Sequence, residues 1–338
     1  MRAGPLLMIG LEGETLTHQE KKIIQKENIG GVLLFKRSCQ SYKALKELIS
    51  ELYSLRVSSP LIVAIDREGG VVDRLTQIKE FYPWPNPSEL SDCLTLQEIE
   101  QTSFYLHHEL KHLRINMNFS PCLDISNPRS MVLKGRTFSS NPARVSDVGG
   151  AVIQGGLRAG VLTCAKHFPG HGGVAEDSHE VLPVDRRSKE KVLTEALPFR
   201  RAFAEHVSSV MVSHVQYTCL DLKNIAPFSN AILDQLLKKK WGFQGLVLTD
   251  DLEMKAVSDY NKVELAERAL TAGAHMLISS NNSVLEILEE FKNTSLIQKR
   301  VEEVIKFKKK YCTILTGSAP PLLERKAWFE KIERRLQR

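Results

Sequence analysis

An α/β fold of the (β/α)8 TIM-barrel class, in one domain with a C-terminal helical extension, is what this sequence predicts. Three observations lead there. Eight short apolar runs recur along the 338 residues, segments of helical periodicity separate them, and polar side chains gather where the runs end. The runs are rich in β-branched residues and lack period-2 polarity, which suits strands buried on both faces, as in a parallel sheet. Strands alternating with helices close into a barrel, with one early strand pair free to run otherwise. An open doubly wound sheet is the rival, but no Gly-x-Gly-x-x-Gly follows a strand.

The expected strands are 6–11, 31–35, 61–65, 117–123, 162–168, 209–215, 246–250 and 275–279. Helices are expected over 94–113, 189–205, 230–240 and 262–272; in the second, Val192, Leu193, Ala196, Phe199 and Phe203 form an i, i+3, i+4 stripe. Residues 1–292 make the barrel and catalytic domain. Residues 293–338 make a basic helical extension, with a hinge at 318–321 before a last helix, 322–336.

Composition narrows the class. Apolar residues make up 42% and charged residues 25%, ordinary for a globular enzyme. No run approaches the roughly 18 apolar residues of a membrane span. The first apolar stretch, 5–11, is broken by Gly10, Glu12 and Glu14 and reads as a strand rather than a signal peptide, so a cytoplasmic enzyme is expected. The six cysteines are scattered without a Cys-x-x-Cys pair. They read as small buried hydrophobes in a reducing compartment, with no disulfide framework and no zinc–thiolate site. Of the net charge of +6, the segment 299–338 accounts for more than the whole, with twelve Lys/Arg against five Asp/Glu. Because Glu302, Glu303, Glu330 and Glu333 are interleaved at helical spacings, a solvated helix face is expected, not a nucleic-acid or membrane patch. A monomer is expected.

In a parallel barrel the chemistry sits at the carboxyl ends of the strands. Asp66, Asp124, Lys166, His167, His214, Asp250 and Asp251 all fall there. The densest cluster is Lys166-His167-Phe168-Pro169-Gly170-His171-Gly172, followed by Asp177-Ser178-His179. Asp177 and His179 stand two apart, so in an extended segment they point the same way. A carboxylate beside an imidazole fixes its tautomer and makes a general acid/base for neutral pH. The glycines and sparse apolar anchors of 170–178 predict a mobile loop.

This constellation closely resembles glycoside hydrolase family 3, and within it the bacterial β-N-acetylglucosaminidase branch acting on cell-wall muropeptides. The likeness extends through Gly30–Phe35, Ile65–Gly70, Asn118–Asp124, Gly135–Phe138 and Gly245–Met254, over about residues 5–290. The resemblance implies Asp250 as the nucleophile and His179, oriented by Asp177, as acid/base. It implies Asp66, Arg74, Arg136, Lys166 and His167 as sugar-binding groups, with no cofactor and no metal. It also implies a retaining enzyme that removes terminal β-linked GlcNAc from GlcNAc-anhydroMurNAc, with or without peptide, in peptidoglycan recycling. Arg67 departs from the glutamine usual in the family. His112, His171 and His214 receive no role, although His214 is placed near the pocket floor.

Three other readings stay open. A metal-dependent barrel hydrolase would use His167, His171, Asp177, His179 and Asp250 as ligands. A catalytically dead sugar-binding module would retain the site without the activity. A family member of other specificity would cleave β-glucosides or use phosphate as acceptor.

Overall fold

The computed structural model describes residues 3–55, 58–281, 294–312 and 322–337, together with residues 288 and 290. The hinge expected at 318–321 lies outside the described residues. Eight strands form one closed barrel: β1 (Leu7–Gly10), β2 (Gly31–Leu34), β3 (Ile62–Ile65), β4 (Met117–Asn118), β5 (Leu162–Phe168), β6 (Ser209–Val212), β7 (Leu246–Asp251) and β8 (Met276–Ser279). Each pairs with its neighbours in chain order and β8 returns to β1; every pair is parallel, the early ones included. The strands are buried on both faces, apart from the end of β7 at Asp250 and Asp251.

Two expected strands are cut short by their own chemistry. The run 117–123 gives only Met117–Asn118, because Pro121 has no N–H to offer a ladder. Beyond it the chain keeps single contacts with β5, Leu123 N–H donating to Lys166 O at 2.7 Å. The run 209–215 ends at Val212, where Ser213 N–H donates to Phe168 O and the Ser213 hydroxyl meets Tyr217 Oη at 2.8 Å. His214 therefore lies two residues past the strand.

The helices follow their caps. Leu96–His112 opens on a capping box of Thr95 and Glu98, and Lys262–Ala272 on Asn261. The stripe at 189–205 is two helices, Lys189–Glu195 and Leu197–Ala204, because Pro198 belongs in a first turn and cannot continue a helix. Helix Pro142–Ala159 lies close on Leu96–His112 because Gly155 leaves room: a Cβ there would stand 2.5 Å from Ser103 Cβ. Ile297, Val301, Val304 and Phe307 of helix Ser295–Tyr311 are buried, each such side chain contributing roughly 1.5–3 kcal/mol.

The last helix, Leu322–Leu336, is docked on the barrel. Phe329 and Ile332 are buried, and the Phe329 ring stacks on Tyr82 with centroids 4.3 Å apart. The charged residues of the tail are mostly exposed, as expected for a solvated face, with Lys308 the buried exception. Lys331 and Arg335 pair with Glu98, Arg325 with Glu109, and the buried Lys308 ammonium donates to Ser59 Oγ at 3.0 Å. Cys39, Cys122, Cys164 and Cys312 are buried, Cys219 is half-buried and Cys93 exposed; all six are free. No helix among the described residues is long and apolar enough to cross a membrane.

Candidate active site

At the carboxyl ends of the strands lies a cavity of about 220 Å³, lined by Asp66, Glu68, Arg74, Arg136, Lys166, His167, His179, Asp250 and Asp251 among polar groups and by Phe35, Phe119, Met211 and Met254 among apolar ones. A larger groove, about 770 Å³, opens at the opposite end, beside Leu162, Ser208 and Leu246 where strands begin. Its size does not recommend it, since parallel barrels carry their chemistry at the other face.

A short hairpin after β3 supplies the first wall. Its arms, Arg67–Gly69 and Val72–Asp73, are antiparallel, and Gly69 sits at φ +102°, where a Cβ would meet Pro85 O at 2.5 Å. Asp66 and Glu68, two apart, both face the cavity, while Arg67 between them is buried away from it. Lys166 Nζ donates to Asp66 Oδ1 at 2.6 Å and reaches Glu68 Oε1 at 2.5 Å. Arg136 grips Glu68 through Nε at 2.9 Å and Nη2 at 2.8 Å. Arg74 Nη2 stands 3.5 Å from Asp66 Oδ2. Burial alone would raise the Glu68 carboxyl, but Arg136 and Lys166 overcome it and bring it down to about 2. Burial likewise opposes the charge on Lys166, and Asp66 and Glu68 reverse that, so the ammonium is held charged.

The second wall is β5 and the turn after β4. His167 Nδ1–H donates to Asp124 Oδ2 at 2.6 Å, and His171 N–H to Asp124 Oδ1 at 2.6 Å. The first bond assigns the tautomer, leaving His167 Nε2 toward Arg136 Nη2 at 3.4 Å and Asp250 Oδ2 at 4.0 Å. Against burial, the His167 and His171 contacts hold Asp124 well below the usual carboxylate range. Asp124, Cys122 and His167 are also three potential metal ligands close together. The Asp124 oxygens are already taken by His167 Nδ1–H and the His171 N–H, and the Cys122 thiol lies 3.3 Å from Asp124 Oδ2.

Asp250 and Asp251 separate cleanly. Burial raises the Asp250 carboxyl, but His167, His214, the Asp251 N–H and Lys166 together carry it below its ordinary value, so it is ionised at neutral pH. One oxygen accepts that N–H at 2.8 Å; the other stays beyond hydrogen-bond distance of His167 on the cavity wall. Asp251 Oδ1 is tied to the N–H groups of Glu253 at 3.1 Å and Ser280 at 3.0 Å, and burial pushes its carboxyl up. His214 is fully buried behind the pair, donating from Nε2 to Asp251 O at 3.1 Å, and is not among the cavity's lining residues.

Asp177 and His179 come from the loop at the rim. His179 Nδ1–H donates to Asp177 Oδ1 at 2.8 Å, and the His179 N–H bonds the same oxygen. The imidazole is 57% exposed yet contributes to the cavity lining. Burial lifts the Asp177 carboxyl, but the two His179 bonds outweigh it and lower it. The loop has more anchors than its glycines suggested. Val174 is buried, His171 Nε2 and Ser178 Oγ meet at 3.2 Å, Tyr217 Oη donates to Gly170 O, and Ala256 N–H to Ser178 O. Only Ala175, Glu176, His179 and Glu180 of this stretch are exposed. His112, at the end of its helix, is exposed.

All eight residues expected at the site thus have a place in or beside one cavity, Asp177 through its bond to His179. Sequence reasoning missed Glu68, whose signal was its two-residue spacing from Asp66, and gave Asp124 no role. It also missed His107, buried beneath the hairpin and held near pKa 4 chiefly by burial, where its Nε2 meets Asn118 Nδ2 at 3.1 Å.

The Glycosyl hydrolase family 3 N terminal domain matches residues 2–307. A β-hexosaminidase of Nitrosomonas eutropha is 34% identical over 288 residues, spanning 83% of this chain and 82% of that protein. A β-hexosaminidase of Shewanella frigidimarina is 36% identical over 285 residues, 82% of each. Among solved structures, a family 3 β-N-acetylglucosaminidase from Paenibacillus sp. superposes with a TM-score of 0.89 at 30% identity, covering 98% of this chain and 68% of that one. NagZ from Neisseria gonorrhoeae, solved with N-trifluoroacetyl-D-glucosamine, gives a TM-score of 0.83 at 28% identity and covers 99% of both chains.

Proposed function

The chain belongs to glycosyl hydrolase family 3 and is a β-N-acetylhexosaminidase, and on that premise we propose that it removes terminal β-linked GlcNAc from anhydro-muropeptides with retention of configuration. Asp250 is the nucleophile and His179 the acid/base. The observation that carries this is the pairing of an ionised Asp250 oxygen on the cavity wall with a carboxylate-backed imidazole at the rim.

In the first step Asp250 Oδ2 attacks C1 while His179 Nε2–H protonates the departing glycosidic oxygen, giving a glycosyl ester. In the second, neutral His179 takes a proton from water, the water oxygen attacks C1 and the ester bond breaks. Asp177 keeps Nδ1–H fixed throughout and stabilises the imidazolium. Asp66, Arg74, Arg136, Lys166 and His167 bind sugar oxygens; Glu68 and Asp124 hold Arg136, Lys166 and His167 in place.

The catalytic unit in this reading is residues 1–292, with 293–338 as its extension, and the enzyme works as a cytoplasmic monomer in wall recycling. Aryl β-glycosides test the specificity: N-acetylglucosaminide should be cleaved well ahead of glucoside. Proton NMR tests the mechanism, since two inversions release the β-anomer first and an initial α-anomer sinks the covalent route. Unchanged rates in excess EDTA and without phosphate exclude the metal-dependent and phosphorolytic alternatives.

A further inference from the structure

The residue that departs from the family pattern, Arg67, leads from the active site to the last helix. Its guanidinium is fully buried and makes four contacts. Nη1 donates to Glu109 Oε2 at 2.7 Å and approaches Leu106 O at 3.4 Å, Nη2 donates to Tyr82 O at 2.6 Å, and Nε reaches Asp73 Oδ2 at 3.3 Å. Asp73 and Arg67 face each other across the hairpin that carries Asp66, Glu68 and Arg74. The same hairpin is closed by Arg74 N–H donating to Asp66 O at 3.1 Å and Leu75 N–H donating to Asp73 Oδ1 at 2.9 Å.

One cation between two buried carboxylates leaves a net negative charge. The last helix supplies the missing cation. Arg325 Nη1 stands 3.4 Å from Glu109 Oε1, an ion pair without hydrogen-bond geometry, and its guanidinium lies over the Tyr82 ring at 5.8 Å. Four residues on, Phe329 stacks on the same ring. The last helix therefore touches two of the four residues that hold the Arg67 guanidinium, Glu109 and Tyr82. The family match ends at residue 307, so Arg325 and Phe329 lie beyond it while Glu109 and Tyr82 lie within it.

We propose that the last helix is a strap on the substrate-binding hairpin, with Arg325 and Arg67 as positioning residues for Asp66 and Arg74. The reason lies in competition for one guanidinium. With Arg325 present, Glu109 is partly neutralised and Arg67 is shared between Glu109 and Asp73. Without it, Glu109 draws Arg67 more strongly, and the longer bond to Asp73 is the one that yields. Asp73 is then free to shift, and with it Arg74 and the carboxylate of Asp66. The consequence for catalysis rests on the reading that those two bind the sugar.

The test uses the full-length chain and Arg325→Gln, a partly exposed position whose loss leaves the barrel core intact. Hydrogen exchange at the Arg74 and Leu75 amides should quicken about tenfold. KM for nitrophenyl β-N-acetylglucosaminide should rise about fivefold with kcat within a factor of about two, and Arg325→Lys should restore both. Lys331→Gln, on the same helix but paired with Glu98, should leave both unchanged. Unchanged exchange at Arg74 and Leu75 in Arg325→Gln overturns the proposal. So does an equal response to Lys331→Gln, which would mean that any loosening of the helix suffices. If the unaltered chain cleaves no N-acetylglucosaminide, the functional reading falls, while the exchange data still decide on the strap.

Discussion

The floor of the cavity and its rim are built on opposite terms. On the floor, the buried Glu68, Lys166 and Asp66 and the largely buried Arg136 are bonded to one another through four short contacts, on the strand-end hairpin, a strand and a loop packed between them. At the rim, the Asp177–His179 pair sits on a loop stretch with the His179 imidazole largely exposed, and its side-chain bonds are the two from His179 to Asp177 Oδ1. A group that must recognise a sugar gains from having its geometry set before the sugar arrives. A group that must give up and take back a proton gains from access to solvent and to the departing oxygen. Asp250 stands between the two, on a strand but with one oxygen uncommitted.

The largest expected effect tests that middle position. Asp250→Asn keeps the shape but cannot form the ester, so kcat should fall on the order of 10³-fold or more, on nitrophenyl and disaccharide substrates alike, with folding unchanged by circular dichroism. Asp251→Asn should be far milder, because that side chain serves backbone N–H groups instead of the cavity. The reverse result would move the nucleophile by one residue.

The next effect separates rim from floor. His179→Ala removes the proton donor, a loss of about 10²–10⁴-fold where the leaving group is a sugar alkoxide. A nitrophenolate hardly needs that proton, so its release should suffer much less. Equal loss on both substrates would make His179 a binding group like those of the floor.

How much of this was legible depends on whether the signal was periodic or spatial. The barrel was legible because eight apolar runs and their helical intervals are local patterns, and helices Lys262–Ala272 and Leu322–Leu336 have the expected bounds. The strand ends were less so: Pro121 could have been read as a break, but the Ser213 bonds to Phe168 O and Tyr217 join residues that sequence spacing does not connect. The place of Asp250, His179 and Lys166 at one cavity was legible through motifs. Glu68 was passed over because its partners, Arg136 and Lys166, lie 68 and 98 positions away. Arg67 was noticed only as a departure; its purpose needs Glu109 and Arg325, brought together by the fold.

Glu68 gives the third prediction, on stability. Its carboxyl is near 2 in the folded chain against an ordinary 4.5, a depressed value. The stability it contributes is present above about pH 4.5 and is lost as pH falls toward 2, on the order of 3 kcal/mol for that gap. Glu68→Gln leaves Lys166 and Arg136 facing each other without their shared anion, so denaturant unfolding at pH 7 should show a loss of that order. The variant's stability should also fall less than the unaltered chain's between pH 4.5 and 2. A variant as stable as the unaltered chain would mean that the floor is not charge-locked.

The smallest expected effect lies in the rim's own carboxylate. Asp177 neither touches C1 nor gives a proton; it fixes Nδ1–H of His179 and stabilises the charge that appears when Nε2 is protonated. Asp177→Asn keeps an oxygen for the Nδ1–H bond and removes the charge, so only the electrostatic share is lost. Disaccharide cleavage should fall about tenfold and nitrophenyl release should be nearly unchanged, the same asymmetry as His179→Ala at reduced scale. Asp177→Ala removes the bond as well and should fall between Asp177→Asn and His179→Ala. That ranking is what sets the rim apart from the floor, where a neutral isostere, as in Glu68→Gln, removes the anion that Arg136 and Lys166 share and costs stability. If Asp177→Asn instead lowers stability as much as Glu68→Gln while sparing the leaving-group asymmetry, the pair at the rim is a structural clasp and the proton donor lies elsewhere.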